Sequence, residues 1–350
     1  MNPEMIRMAR DARAVTQAKL CKALDLTQGA LSKIETALLP FPNERVEKLC
    51  QALQYPEIFF SQSWSYESAP ARLYRRRKSV TQSVLAQRGA QMNILKHQLA
   101  ALLRSVAPIQ RRFPCYEPES FRGGATEVAV KVRQEMRLPH GPLANLTQLL
   151  ERSGVIIVSF QFGMRQIDAC ADWIDGQPII FLADHLCPSR QRFTLAHEFA
   201  HLVMHQRWED TSDAQADAFA GEFLLPKAEI KSQLLPMNLK RYMQLKCYWR
   251  VSIAALLKQA DLIGVGSGYQ RRQMWQLLSA RGYRLTEPGE DLLPHEEPET
   301  LRNLVAIHKR DLGYSDEQLA HLLCLFPEDL SETFSDKRTI VKFQAQAGSG

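Results

Sequence analysis

A mainly α chain carrying one small β-sheet, an α+β protein of several domains, is what this sequence predicts. Three observations carry that expectation. Apolar residues recur at helical spacing over most of the chain, strand-like texture is confined to about residues 155–182, and charge is distributed unevenly. With 350 residues, 45% hydrophobic and 23% charged, the chain can bury two or three ordinary cores. Of the net charge of +6, residues 1–60 hold +1, residues 61–112 hold +9 and the remainder −4, so an anionic partner is expected to meet the middle segment. Seven cysteines, an odd number with no CxxC pair, speak against both a disulfide framework and a thiolate metal site. No apolar run reaches the roughly 18 residues of a membrane span, and the charged start MNPEMIRMARDARAVTQ is unlike a signal peptide. The expected location is the cytoplasm, with no membrane partner.

Residues 1–60 read as short helices joined by tight turns. Thr16 can cap a helix that turns Leu20 and Leu24 inward, and Thr27 can cap the next, whose Leu31 and Ile34 share a face. The link between them is so short that the two helices must cross. A further helix spans about 44–53, set off by Pro40 and Pro42 and followed by Pro56 and the apolar Ile58, Phe59 and Phe60. Residues 61–71 read as a linker, followed by the basic run of Arg72, Arg75, Arg76, Arg77 and Lys78, a reserve of phosphate contacts or simply a solvated face. One long helix is expected over 79–106, and two more over 124–152, broken near Pro139 and Pro142. Residues 155–160, 170–174 and 178–182 read as strands, with Asp175-Gly176 as a hairpin turn. From Lys227 the chain is mainly helical, with a glycine-rich break at 264–268.

The strongest local signal is His197-Glu198-Phe199-Ala200-His201 inside a convincing helix. Residues four apart lie on one helical face, so both imidazoles can take one metal ion while Glu198 sits beside them to hold a water. That is the arrangement of metal-assisted peptide hydrolysis, in which the Glu takes the water's proton and passes it to the leaving amine. Zinc suits such a donor set, and manganese can occupy it too.

A third ligand has to come from elsewhere, and the following segment SDAQADAFAGEFLLP offers Asp213 and Asp217, four apart on one face. Asp213 is expected as the third ligand, with Asp217 accepting the other ring N–H of a ligating imidazole and so fixing its tautomer. The alternative ligand is Asp217 itself, with Glu209 and Glu222 as weaker candidates. His205 extends the spacing to H-x3-H-x3-H, but it lies a further turn, about 6 Å, along a rigid helix and is expected to pack or hydrogen-bond nearby rather than ligate.

The stretches RQRFTLAHEFAHLVMH at 190–205 and DAQADAFAGEFLLP at 213–226 resemble the ImmA/IrrE family of zinc metallopeptidases, and similarity extends over most of 125–290. The resemblance implies a zincin-like fold with His197 and His201 as zinc ligands and Glu198 as catalytic base. The family usually places Glu where this chain has Asp213, one methylene shorter. TQAKLCKALDLTQGALSKIE, preceded by Arg13, resembles the helix-turn-helix of XRE or lambda-repressor type. That resemblance implies that Gln28 and Ser32 read bases in an operator while Gln17, Thr27 and Lys33 touch the DNA backbone. It also implies a homodimer reading two half-sites.

The expected division is a helix-turn-helix domain over 1–60, a basic linker and connecting helix over 61–122, the peptidase domain over 123–232 and a helical region over 233–350. The expected function is DNA-binding regulation coupled to zinc-dependent cleavage of a cytoplasmic repressor or partner protein. Rival readings are a non-hydrolytic sensor or repressor with a structural metal, and an antitoxin-like protein that binds a partner without cutting it.

Overall fold

The computed structural model describes residues 1–66, 81–106, 109–163, 166–205, 211–284 and 286–333. Two expectations fall outside them: the basic run from Arg72 to Lys78, and Glu209. The chain forms two compact units, each assembled from separate stretches: residues 1–108, 159–167 and 300–350 in the first, residues 109–158 and 168–299 in the second.

In the first unit, α1 (Pro3–Ala12), α2 (Gln17–Leu24), α3 (Gln28–Glu35), α4 (Val46–Leu53) and α5 (Glu57–Phe60) follow in order. Each of the first three begins at a side-chain cap. Asn2 accepts from Glu4 N–H, Thr16 from Lys19 N–H and Thr27 from Ala30 N–H, so each satisfies a backbone donor the helix cannot. Asp25, at φ 51°, closes α2 in the left-handed conformation and leaves two residues before α3 starts. Arg45 donates to the carbonyls of Leu24 and Asp25, which pins this turn. Leu20, Leu24, Leu31, Ile34, Leu49 and Leu53 meet Phe59 and Phe60 in one core.

The long helix α6 (Gln82–Arg104) is more than a connector. Its Ala90 and Ile94 enter that core, and Gln91 Nε2 donates to the Ala12 carbonyl at 2.9 Å. Two turns further along, Gln98 Nε2 donates to the Leu323 carbonyl at 2.9 Å, bringing in the C-terminal helices. Burial all round α6 leaves its sequence without the one-sided stripe of a surface helix. The last helices share a compact unit with the first.

After α7 (Gly124–Glu135) and α8 (Leu146–Arg152) of the second unit comes a three-stranded mixed sheet, β1 (Ile156–Phe160), β2 (Ala169–Ile174) and β3 (Gln177–Ala183), in the order β1-β3-β2. The β2–β3 hairpin pairs Ile174 with Gln177 and turns on Asp175 at φ 48° and Gly176 at φ 80°, the doubly left-handed turn that matches strand twist. Gly154, at φ 96°, lets the chain pass the 110–111 backbone. A Cβ there would lie 2.6 Å from the Gln110 carbonyl oxygen.

Next come α9 (Pro188–Met204), α10 (Ser212–Leu224), α11 (Lys227–Ile230), α12 (Leu239–Trp249), α13 (Ile253–Leu262) and α14 (Gly268–Ala280). In the first unit again, α15 (Thr300–Arg310), α16 (Asp316–Leu322) and α17 (Pro327–Thr333) complete the chain's helices among the described residues. Helix α9 packs on β2, β3 and α10, with Phe199 at the centre, its ring against Phe113, Phe219 and Phe223. Pro188 stands at its first position, and Glu290 accepts from Ser189 N–H and Oγ at its N-terminus. Glu290 also faces Lys246, which is fully buried and donates to Glu287 as well.

Candidate metal centre and nucleic-acid interface

Helix α9 sets Phe199, Ala200 and Val203 into the core, and this fixes what remains for the other face. His197 and His201, one turn apart, share it, with Nε2 atoms 3.2 Å from each other. Helix α10 packs beside α9 through Ala216, Phe219, Ala220 and Phe223, and the first turn of α10 brings in Asp213. Asp213 Oδ1 lies 3.4 Å from His197 Nε2 and 3.6 Å from His201 Nε2. Among the described residues, His197, His201 and Asp213 are the cluster able to hold a metal ion.

The three atoms fit such an ion. Ligands about 2.0–2.1 Å from a tetrahedral zinc stand roughly 3.3–3.4 Å apart, close to the three separations found here. The electrostatics agree. Burial, the largest influence on His197, disfavours its charged form, yet Asp213 and Asp217 outweigh it and push the group up to about 9. Two carboxylates beside a buried imidazole leave the cluster short of positive charge. Asp213 is 61% exposed in its side chain, so the cluster opens to solvent.

Asp217, one turn beyond Asp213, sits with Oδ1 2.9 Å from His197 Nδ1, where an acceptor on Nδ1 fixes the ring and turns Nε2 toward the cluster. Its other oxygen lies 3.6 Å from Lys258 Nζ. Burial raises the Asp217 carboxyl, but His197 and Lys258 bring it below the usual range. Glu198 is buried, and its Oε2 accepts from Ala171 N–H of β2 at 2.7 Å. Glu222 lies away from the cluster in its bonding, capping Lys227 N–H at 2.9 Å and meeting Gln259. His205 has turned to its neighbours: Nδ1 lies 2.8 Å from His201 Nδ1 and Nε2 2.9 Å from Gln215 Oε1. Sequence reasoning passed over Ala171, Gln215, Glu119 and Lys258. No motif marks a backbone N–H, and Gln215 and Lys258 stand in helices whose apolar patterns say nothing of them.

In the first unit Thr27, Gln28, Ser32 and Lys33 are exposed along the start and outer face of α3. Gln17 is half-buried, and its amide donates to Glu35 Oε2 at 2.8 Å. The same carboxylate holds Arg10 by two bonds, which locks α1, α2 and α3 into one arrangement.

Residues 150–260 match the family model of the IrrE N-terminal-like domain, a peptidase family, and residues 4–57 match that of a helix-turn-helix domain. This chain joins a helix-turn-helix domain to an IrrE-like peptidase domain. No curated protein matches it. The peptidase domain contains all four of His197, Glu198, His201 and Asp213, and the helix-turn-helix domain contains Gln17, Thr27, Gln28, Ser32 and Lys33. Among the described residues no helix is long and apolar enough to cross a membrane.

Proposed function

We propose that this protein is a DNA-binding regulator whose second unit is a metal-dependent endopeptidase acting on a cytoplasmic repressor or partner protein. The observation that carries the peptidase reading is the triangle of His197 Nε2, His201 Nε2 and Asp213 Oδ1, with Glu198 beside it on the same helix. Zinc bound by these three would supply the Lewis acidity that makes a water nucleophilic near neutral pH. Glu198 would take that water's proton and deliver it to the leaving amine nitrogen. The Ala171 N–H holds the Glu198 carboxylate in one orientation, so the base needs no reorganisation before it acts. Asp217 would fix the His197 ring. Exposure of Asp213 favours hydrolysis over a purely structural metal, since a structural site closes its coordination with protein ligands.

In the first unit, Gln28 and Ser32 would reach base edges from the early part of α3, in the manner of a recognition helix. Lys33 and the Thr27 hydroxyl would meet phosphates, and so would Gln17 through the second N–H of its amide. A homodimer would place two such helices on the two halves of an operator.

Metal content per chain, measured by mass spectrometry on protein purified without chelator, tests the centre. About one zinc per chain in the wild type, lost in His201→Ala and Asp213→Ala, is the expected result. A wild type that takes up no metal when zinc is supplied would remove the peptidase reading.

A further inference from the structure

His201 turns Nε2 toward His197 and Asp213 and Nδ1 toward His205, 2.8 Å away. The contact does not end there. His205 Nε2 lies 2.9 Å from Gln215 Oε1, and Gln215 Nε2 donates to Glu119 Oε1 at 2.9 Å. Four side chains thus run in series from the heart of α9, through the residue that ends it, across the first turns of α10, to the short 3-10 turn Pro118–Ser120. His205 is the residue that closes the helix, at φ −117° and ψ 90°, and its ring centroid lies 4.9 Å from that of His201.

The direction of every bond follows from the far end. An ionised carboxylate only accepts, so Gln215 presents its NH2 to Glu119 and its carbonyl oxygen to His205. A carbonyl oxygen only accepts, so His205 Nε2 carries the hydrogen, and a neutral imidazole then has a bare Nδ1. His201 Nδ1 must donate to it. That leaves His201 Nε2 unprotonated, and Nε2 is the atom that faces His197 Nε2 at 3.2 Å and Asp213 Oδ1 at 3.6 Å. His197 is oriented more directly, through Asp217 on its Nδ1.

We propose that His205, Gln215 and Glu119 are positioning residues that fix the tautomer and ring plane of His201 and thereby raise the affinity of the centre for a divalent metal ion. The proposal rests on the reading of His197, His201 and Asp213 as ligands. It also gives the third histidine of the H-x3-H-x3-H spacing a task that is not ligation: both its ring nitrogens are engaged, one by His201 and one by Gln215.

The test is the zinc dissociation constant of the full-length protein, by competition with a chromophoric chelator, with the visible spectrum of the cobalt-loaded form as a second readout. His205→Phe keeps a ring but no acceptor and is expected to weaken zinc binding about 10–100-fold and to shift the cobalt bands. His205→Asn can set Oδ1 where Nδ1 was and is expected to restore affinity to within about threefold of wild type. Gln215→Leu, which frees His205 to adopt the other tautomer, is expected to fall between them. Combined with His205→Phe, it should add nothing, because both changes act through one chain. Unchanged melting of the metal-free variants would show that the fold is kept. Wild-type zinc affinity in His205→Phe would overturn the proposal, as would an Asn variant as weak as the Phe variant. His201→Ala separates the two levels: if it binds zinc as wild type does, the ligand reading itself falls, whatever His205 does.

Discussion

The backbone N–H of Ala171 donates to Glu198 Oε2 at 2.7 Å, and this bond ties the edge of the sheet to the HExxH helix. Strand β2 lies at the end of the order β1-β3-β2, so among the described residues one of its sides has no partner strand. Ala171 pairs with Ile180 of β3 yet turns its N–H off that ladder toward the carboxylate. An ionised carboxylate makes with a backbone N–H a charge-assisted bond, stronger than a neutral one, which holds the side chain in one rotamer.

Glu198→Gln follows from that geometry as the cleanest probe of proton transfer. The amide oxygen still accepts from Ala171 N–H, and neither histidine is disturbed, so zinc content should equal that of wild type. Loss of the base should slow cleavage at least about 100-fold. Mass spectrometry of a co-expressed candidate repressor would read this out. Cleavage at the wild-type rate by the Gln variant would remove Glu198 from the mechanism.

The two aspartates of α10 should separate by role. Asp213→Ala removes an oxygen that stands 3.4 Å and 3.6 Å from the two Nε2 atoms, so zinc should be lost during ordinary purification. Asp217→Asn keeps a group that can accept from His197 Nδ1 but loses its charge, so zinc should be retained with an affinity about 10-fold weaker. The reverse order of severity, measured by chelator competition, would make Asp217 the ligand.

On DNA, the exposed residues of α3 should divide in the same manner. Gln28→Ala should cost about 1–3 kcal/mol on the preferred operator and relax the preference at one position, as expected of a base contact. Lys33→Ala should weaken binding to all sequences alike and lower the slope of affinity against salt by about 1. Fluorescence anisotropy across a salt series would distinguish the two. Equal, sequence-independent losses in both variants would remove Gln28 from base reading.

Much of this was legible in the sequence, for physical reasons that differ by element. Thr16 and Thr27 announced helix starts because a hydroxyl before an apolar-periodic run has an obvious backbone donor to satisfy. Asp175-Gly176 announced a hairpin because few other pairs tolerate positive φ twice in succession. The HExxH spacing placed two histidines on one face without any tertiary information. What the sequence could not express were pairings between distant segments. Glu119 and Gln215 are 96 positions apart, and Gln98 and Leu323 are 225 apart. Helix α6 misled in another way: buried on every side, it offers no stripe, so its part in the first unit's core had no periodic signature.

Lys246 forms a buried ion-pair cluster in the second unit, and its effect should depend on pH. The lysine is fully buried, with Nζ 2.8 Å from Glu287 Oε2 and in contact with Glu290 Oε1. Burial works against its charge, but the two carboxylates outweigh it and raise the group above its ordinary value of 10.5. For Glu290 burial acts upward, and Lys246 with Ser189 brings the carboxyl below its ordinary 4.5. A raised lysine gives stability that is complete below about 10.5 and is lost as pH climbs through its folded value. A lowered carboxyl gives stability that is present above about 4.5 and is lost as pH falls through its folded value. Between those limits Glu290→Gln should destabilise the second unit by about 1–3 kcal/mol, a fall in Tm of roughly 3–10 °C, because Glu287 still accompanies the lysine. Titrated toward acid, wild type should lose this advantage and converge on the variant. A gap in Tm that stays constant from pH 7 down to pH 3 would mean that Glu290 acts by shape and hydrogen bonding to Ser189, with no contribution from its charge.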